Sequence, residues 1–100
     1  MKTTIIAEIG SNWEGSIRIA HKIISECKNA GADAVKFQMW RAKDLYSEKH
    51  PEWATIKKSE LTFDKAQKIK KISDELGIEF MCSVFYPEAV TFLESLGVKR

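Results

Sequence analysis

The stretch Ala30-Gly31-Ala32-Asp33-Ala34-Val35-Lys36-Phe37-Gln38 decides how the chain is organised. Gly31 suits the position just past a helix, where a left-handed backbone is needed. Residues 33–38 then read as a strand, with β-forming side chains at Val35 and Phe37. Alternate strand side chains point to opposite faces. Val35 and Phe37 therefore share a face suited to packing under helices. Ala34, Lys36 and Gln38 share the other face, and its polar residues lie toward the C-terminal end.

Upstream, residues 3–9 are short, β-branched and nearly continuous in apolar character, as a strand covered on both faces reads. Gly10 breaks the strand and residues 11–15 form a loop. Ser16 is placed to cap a helix over 16–30. Ile17, Ala20, Ile24 and Cys27 recur on its inner side, while Arg18, Lys22, Glu26 and Asn29 take the outer one.

Downstream, residues 39–61 are irregular. Pro51 interrupts them and 52–58 reads as a short helix. An excursion of this length is more often functional than accidental. Thr62 is placed to cap a helix over 63–76, ended by Gly77. Residues 78–83 read as a third strand. Pro87 suits the first turn of a helix over 87–96, ended by Gly97, and 98–100 reads as the start of a fourth strand.

The order β-α-β-α-β-α predicts right-handed crossovers and a parallel sheet. Two α/β architectures fit: part of a barrel, or part of an open doubly wound sheet. No G-x-G-x-x-G follows the first strand, which weakens a dinucleotide-binding reading.

The chain has 100 residues, 44% apolar and 30% charged, a globular composition. A complete eight-fold barrel needs about 250 residues. With only Cys27 and Cys82 present, a disulfide-stapled fold is excluded. The net charge of +2 is too balanced to suggest nucleic acid as a partner. No targeting signal and no membrane-length apolar run is visible. The cysteine usage suggests a reducing, cytoplasmic setting. The expected partners are small molecules and further copies of the chain, with neither nucleic acid nor membrane.

Three strands place polar groups toward the C-terminal end of one face: Glu8 on the first, Lys36 and Gln38 on the second, Ser83 on the third. Such groups are costly to bury unpaired, and these strand ends are where parallel α/β folds place their chemistry. The plainer alternative is a Glu8–Lys36 ion pair that only holds the sheet end together. His21, inside the first helix, and His50, beside Pro51, read as surface or boundary residues. No H-x-x-x-H or C-x-x-C is present, so no metal site is written locally. Cys27 and Cys82 read as small core residues. Trp13, Trp40 and Trp53 fall in loops after strands, suited either to covering a rim or to lining a ligand site.

Several blocks together resemble the N-acetylneuraminate (sialic acid) synthase family. They are Ile6-Ala7-Glu8-Ile9-Gly10-x-Asn12-x-x-Gly15, residues 30–38 quoted above, Glu60-Leu61-Thr62, and Gly77-Ile78-Glu79-Phe80-Met81-Cys82-Ser83-Val84-Phe85. The resemblance implies the N-terminal three βα units of a (β/α)8 barrel, spanning residues 1–100 and stopping before the fourth strand. It implies condensation of phosphoenolpyruvate with an N-acetylmannosamine-type amino sugar, giving a nonulosonic acid and phosphate. It implies a divalent metal, manganese or magnesium, whose ligands lie outside this segment. By the same resemblance Glu8 sits at the reacting centre, Lys36 meets phosphoenolpyruvate, and Gln38 meets the sugar. Ser83 lies near the phosphate or carboxylate, and Asn12 joins the substrate-binding set. Trp13 stands where the family commonly has His, and Ser83-Val84 where it has Thr-Pro.

Two other readings compete: a Schiff-base aldolase barrel with Lys36 as nucleophile, and a non-catalytic partial barrel serving binding or assembly.

Overall fold

The computed structural model describes residues 2–100. Strands β1 (Ile6–Gly10), β2 (Ala34–Met39) and β3 (Glu79–Val84) form one parallel sheet in the order β1-β2-β3. Helices α1 (Ile17–Asn29), α4 (Phe63–Leu76) and α5 (Pro87–Ser95) follow the three strands, and two short helices, α2 (Ala42–Leu45) and α3 (Trp53–Lys58), lie between β2 and α4. No helix of the described residues is long and apolar enough to cross a membrane.

The caps form where the sequence places them. Ser16 Oγ accepts from the Ile19 N–H at 3.2 Å, and Thr62 Oγ1 from the Lys65 N–H at 3.2 Å. Each relieves one of the donors a helix start leaves unpaired.

The first strand begins later than the run of β-branched residues suggests. Asp33 accounts for this: its Oδ2 accepts from the Ile5 N–H at 2.8 Å, while Ile5 C=O accepts from the Asp33 N–H at 2.8 Å. Thr3 and Thr4 lie beyond that clasp and are exposed. Asp33 thus closes the start of the β1–β2 pair. The Ile5 amide holds its carboxyl below the usual carboxylate range.

Residues 98–100 do not extend as a fourth strand. The Arg100 guanidinium instead grips Glu79 through two hydrogen bonds, Nε to Oε2 at 2.9 Å and Nη2 to Oε1 at 3.0 Å. Among the described residues no strand lies on the far side of β3.

The two faces of β2 separate as alternation requires. Val35, Phe37 and Met39 are fully buried beneath the helices, with Ala20 and Ile24 of α1, Ala66 and Ile69 of α4, and Ala89 and Leu93 of α5. Phe37 stacks on Phe80 with ring centroids 5.7 Å apart. Burying side chains of this size contributes about 1.5–3 kcal/mol each.

Trp13 corrects the expectation of a rim or ligand-site aromatic. It is 0% exposed in the helix-side core, edge-on to Phe37 at 6.3 Å. The β1–α1 turn folds it back under the helices, so Trp13 fills volume.

β1 carries a bulge. Ile6 pairs with Ala34, Ala7 with Val35 and Glu8 with Lys36, but the next partner of Phe37 is Gly10. Ile9 is the additional residue, and it is buried. The bulge follows directly after Glu8, at the strand end where polar groups collect.

Candidate functional site at the strand ends

Glu8 and Lys36 stand opposite each other across β1 and β2, and Gln38 stands opposite Ser83 across β2 and β3. The Glu8 carboxylate joins the first three. Its Oε2 lies 3.7 Å from Lys36 Nζ, and its Oε1 accepts from Gln38 Nε2 at 3.2 Å. One carboxylate thus holds an ammonium and an amide at fixed spacing.

The side chains of Lys36 and Glu8 are 36% and 47% exposed. A pair this open is worth little to stability. Its consequence is positional: it orients a cation and an amide toward the same opening. The sheet brings Glu8, Lys36, Gln38 and Ser83 to one face. Asn12 lies in the tight turn after β1, where its N–H donates to Ile9 C=O at 3.0 Å, and its side chain is exposed.

A cavity of about 380 Å³ opens beside this group. Gln38 lines it together with Ser11, Trp40, Tyr46, Ile56 and Phe85. Its size falls in the range of small-molecule sites, which are mostly apolar with a few placed polar groups. Trp40 is anchored there by donating from Nε1 to Ser11 Oγ at 3.2 Å. Trp53 opens α3 rather than lying in a loop, and of Trp13, Trp40 and Trp53 only Trp40 lines this cavity.

The wall of the cavity is the excursion between β2 and α4, and Glu60 holds it in place. This buried carboxylate accepts from the Ala42 N–H at 2.9 Å, at the start of α2, and from Lys57 Nζ at 3.1 Å, on α3. One side chain therefore ties both short helices to the entrance of α4. Sequence reasoning did not single out Glu60 for this role. The available signal was a carboxylate immediately before a buried leucine and a helix cap.

A second contact locks the first turn against the same wall. Gly15 has φ +77°, and a Cβ there would fall 1.9 Å from Lys58 C=O. Only glycine permits both that backbone conformation and that approach.

Cys82 lies beneath the group on the helix side of β3. Burial, and secondarily the Glu8 charge, push its thiol up to about 12, so it is inert as a nucleophile at ordinary pH. His50 accepts from the Glu52 N–H at Nδ1, 3.0 Å away, and meets the Tyr46 ring edge-on at 5.4 Å. It serves loop structure, and His21 is exposed. Among the described residues no group of three or more His, Cys, Asp or Glu side chains comes together. These residues alone do not build a centre for a divalent metal.

Comparison with known proteins gives a consistent picture. The NeuB family profile matches residues 23–100. The chain is 34% identical to the N,N'-diacetyllegionaminic acid synthase of Legionella pneumophila, over 100% of this chain and 32% of that protein. It is 34% identical to the N-acetylneuraminate-9-phosphate synthase of Homo sapiens, over 94% of this chain and 30% of that protein. The sialic acid synthetase of Leptospira borgpetersenii, solved in complex with citrate, superposes with TM-score 0.87 at 28% identity. That match covers 98% of this chain and 34% of the synthetase. The chain thus spans about a third of these relatives' length, and its three strands with their helices are three successive βα units of their barrel. A profile match over most of the chain and a superposition over nearly all of it agree: the chain belongs to the NeuB family.

Proposed function

We propose that residues 1–100 supply part of the active site of a synthase that condenses phosphoenolpyruvate with an N-acetylmannosamine-type amino sugar. In that reaction the methylene carbon of phosphoenolpyruvate bonds to the sugar's aldehyde carbon. One water is consumed, and a nonulosonic acid and inorganic phosphate leave.

The observation that carries this reading is the Lys36–Glu8–Gln38 group at the strand ends beside an aromatic-lined cavity. Phosphoenolpyruvate is a multiply charged anion. Lys36 supplies a fixed cation to bind it and to stabilise charge that develops during transfer. Glu8 holds that ammonium in position and is placed to manage a proton at the reacting carbons. Gln38 presents its amide both to Glu8 and to the cavity, as a group orienting the acceptor would. Ser83, beside Gln38, offers a hydroxyl to the phosphate or carboxylate of the anion, and Asn12 offers an amide from the neighbouring turn.

The test is phosphate release by the complete protein when phosphoenolpyruvate and an N-acetylated amino sugar are supplied together. Release that requires both substrates supports the proposal. Absence of release, or borohydride trapping of pyruvate on Lys36, overturns it; the trapped adduct would identify an imine-forming aldolase instead.

A further inference from the structure

Arg41 makes a contact that the proposed chemistry does not use. It stands at the start of α2, and its Nε donates to Asp44 Oδ2 at 2.7 Å, which sets the plane of the guanidinium. The guanidinium carbon lies 4.1 Å from the centroid of the Tyr86 ring. Tyr86 is half-buried and belongs to the link between β3 and α5. Its ring lies at 16° and 6.4 Å to that of Phe63, and Phe63 stacks on Phe92 at 4.0 Å. A planar cation held over a partly buried ring is attracted to its face, and arginine stacks there as lysine does not.

The place of this contact gives it a role. The Phe85 N–H donates to Met39 C=O at 3.1 Å, which carries the β2–β3 ladder as far as these residues. Arg41 comes two residues after Met39, and Tyr86 one after Phe85. The stack therefore takes over where the ladder stops. Glu60 ties the excursion to the start of α4, whereas Arg41 ties it to the next βα unit. Gln38 and Ser83 stand opposite each other on the strands that lead into the stack. A molecule that orders the link after Ser83 thereby orders the excursion as well, and a second molecule then meets a segment already ordered.

We infer that Arg41 is a positioning residue: stacked on Tyr86, it couples order in the excursion to order in the link after β3, so that phosphoenolpyruvate held at the strand ends also steadies α2. The identity of that anion rests on the synthase reading above; the coupling between the two segments does not.

Hydrogen–deuterium exchange on the complete protein tests this with two variants. Arg41→Met keeps a long chain and removes the cation; Tyr86→Phe keeps the ring. Without ligand, Arg41→Met is expected to speed exchange of the amides of residues 43–46 and 85–89 by about fivefold or more. Tyr86→Phe is expected to match the unaltered protein, and unchanged exchange in α1 shows that each variant folds. With phosphoenolpyruvate added, exchange over 85–89 slows in the unaltered protein and in Arg41→Met, but exchange over 43–46 slows only in the unaltered protein. Unchanged exchange over 85–89 in ligand-free Arg41→Met overturns the coupling. So does slowing over 43–46 that survives the substitution, or slowing over 85–89 that never reaches 43–46. Phosphoenolpyruvate that slows no amide in any form sinks the synthase reading, and the ligand-free comparison then decides the coupling alone.

Discussion

Lys36 is the residue on which the proposed chemistry most depends. Removing a charged anchor from a site that stabilises developing charge costs about 3–4 kcal/mol. Lys36→Ala is therefore expected to lower kcat/KM for phosphoenolpyruvate by on the order of 100- to 1,000-fold. Unchanged steady-state kinetics with that substrate would contradict the assignment. Cys82 gives a second expectation. Its folded-state thiol, at about 12, lies above the ordinary 9.0. A raised value means the protonated form is favoured by folding. The associated stability is complete below pH 9 and is lost as pH rises from there toward 12. At pH 8, iodoacetamide should modify Cys27 well before Cys82, and equal labelling rates would count against burial as the cause. The parity of Glu8, Lys36, Gln38 and Ser83 was legible in the sequence because alternation along a strand is strict. The Glu8–Lys36 pair was legible on the same ground; that the same carboxylate also accepts from Gln38 was not, since that contact depends on how segments about 30 residues apart are set against each other.

The helices and strands were legible wherever a cap, a glycine and an apolar period agreed, as at Thr62, Gly77 and the run from Phe63 to Leu76. The short helix read over 52–58 is present as Trp53–Lys58, whereas Ala42–Leu45 escaped because four residues are too few to show a period. The four-residue helix Ala42–Leu45 has no side-chain cap of its own and depends on Glu60 from outside. Glu60→Ala would strip the Ala42 N–H of its partner, at a cost of about 1–3 kcal/mol. Its effect should fall on the acceptor's KM with little change in that of phosphoenolpyruvate; equal damage to both would mean that Glu60 supports the whole site. Trp13 was misread for a related reason: a loop residue can be folded back into the core, and local sequence does not encode that return. Gly15→Ala would meet both an unfavourable φ and the Lys58 carbonyl. The expected loss is about 1–3 kcal/mol, visible as a melting temperature lower by several degrees. An unshifted melting curve would show that the turn can move away freely.

At the scale of the molecule, β2 is paired on both sides, whereas β1 and β3 each have one neighbour. Open strand edges offer unpaired donors and acceptors to other chains. Ile5, Ile6, Val84 and Phe85 are exposed beside those edges. Produced as 100 residues, the chain is expected to self-associate; a single monomeric boundary in sedimentation velocity at tens of micromolar would refute this. The alternation of strands and helices made the parallel sheet readable. The bulge at Ile9 stayed hidden because it is a property of pairing, seen only when β1 meets β2. The close approach of Gly15 to Lys58 reaches further than its own energy. It joins the turn after β1 to the far end of the excursion, and Glu60 joins that excursion to the start of α4. Three segments distant in sequence therefore form one cooperative opening unit. Deuterium should enter the amides of residues 14–16 and 57–60 at a shared rate, and a graft of the excursion into a related barrel would need to carry its glycine partner with it.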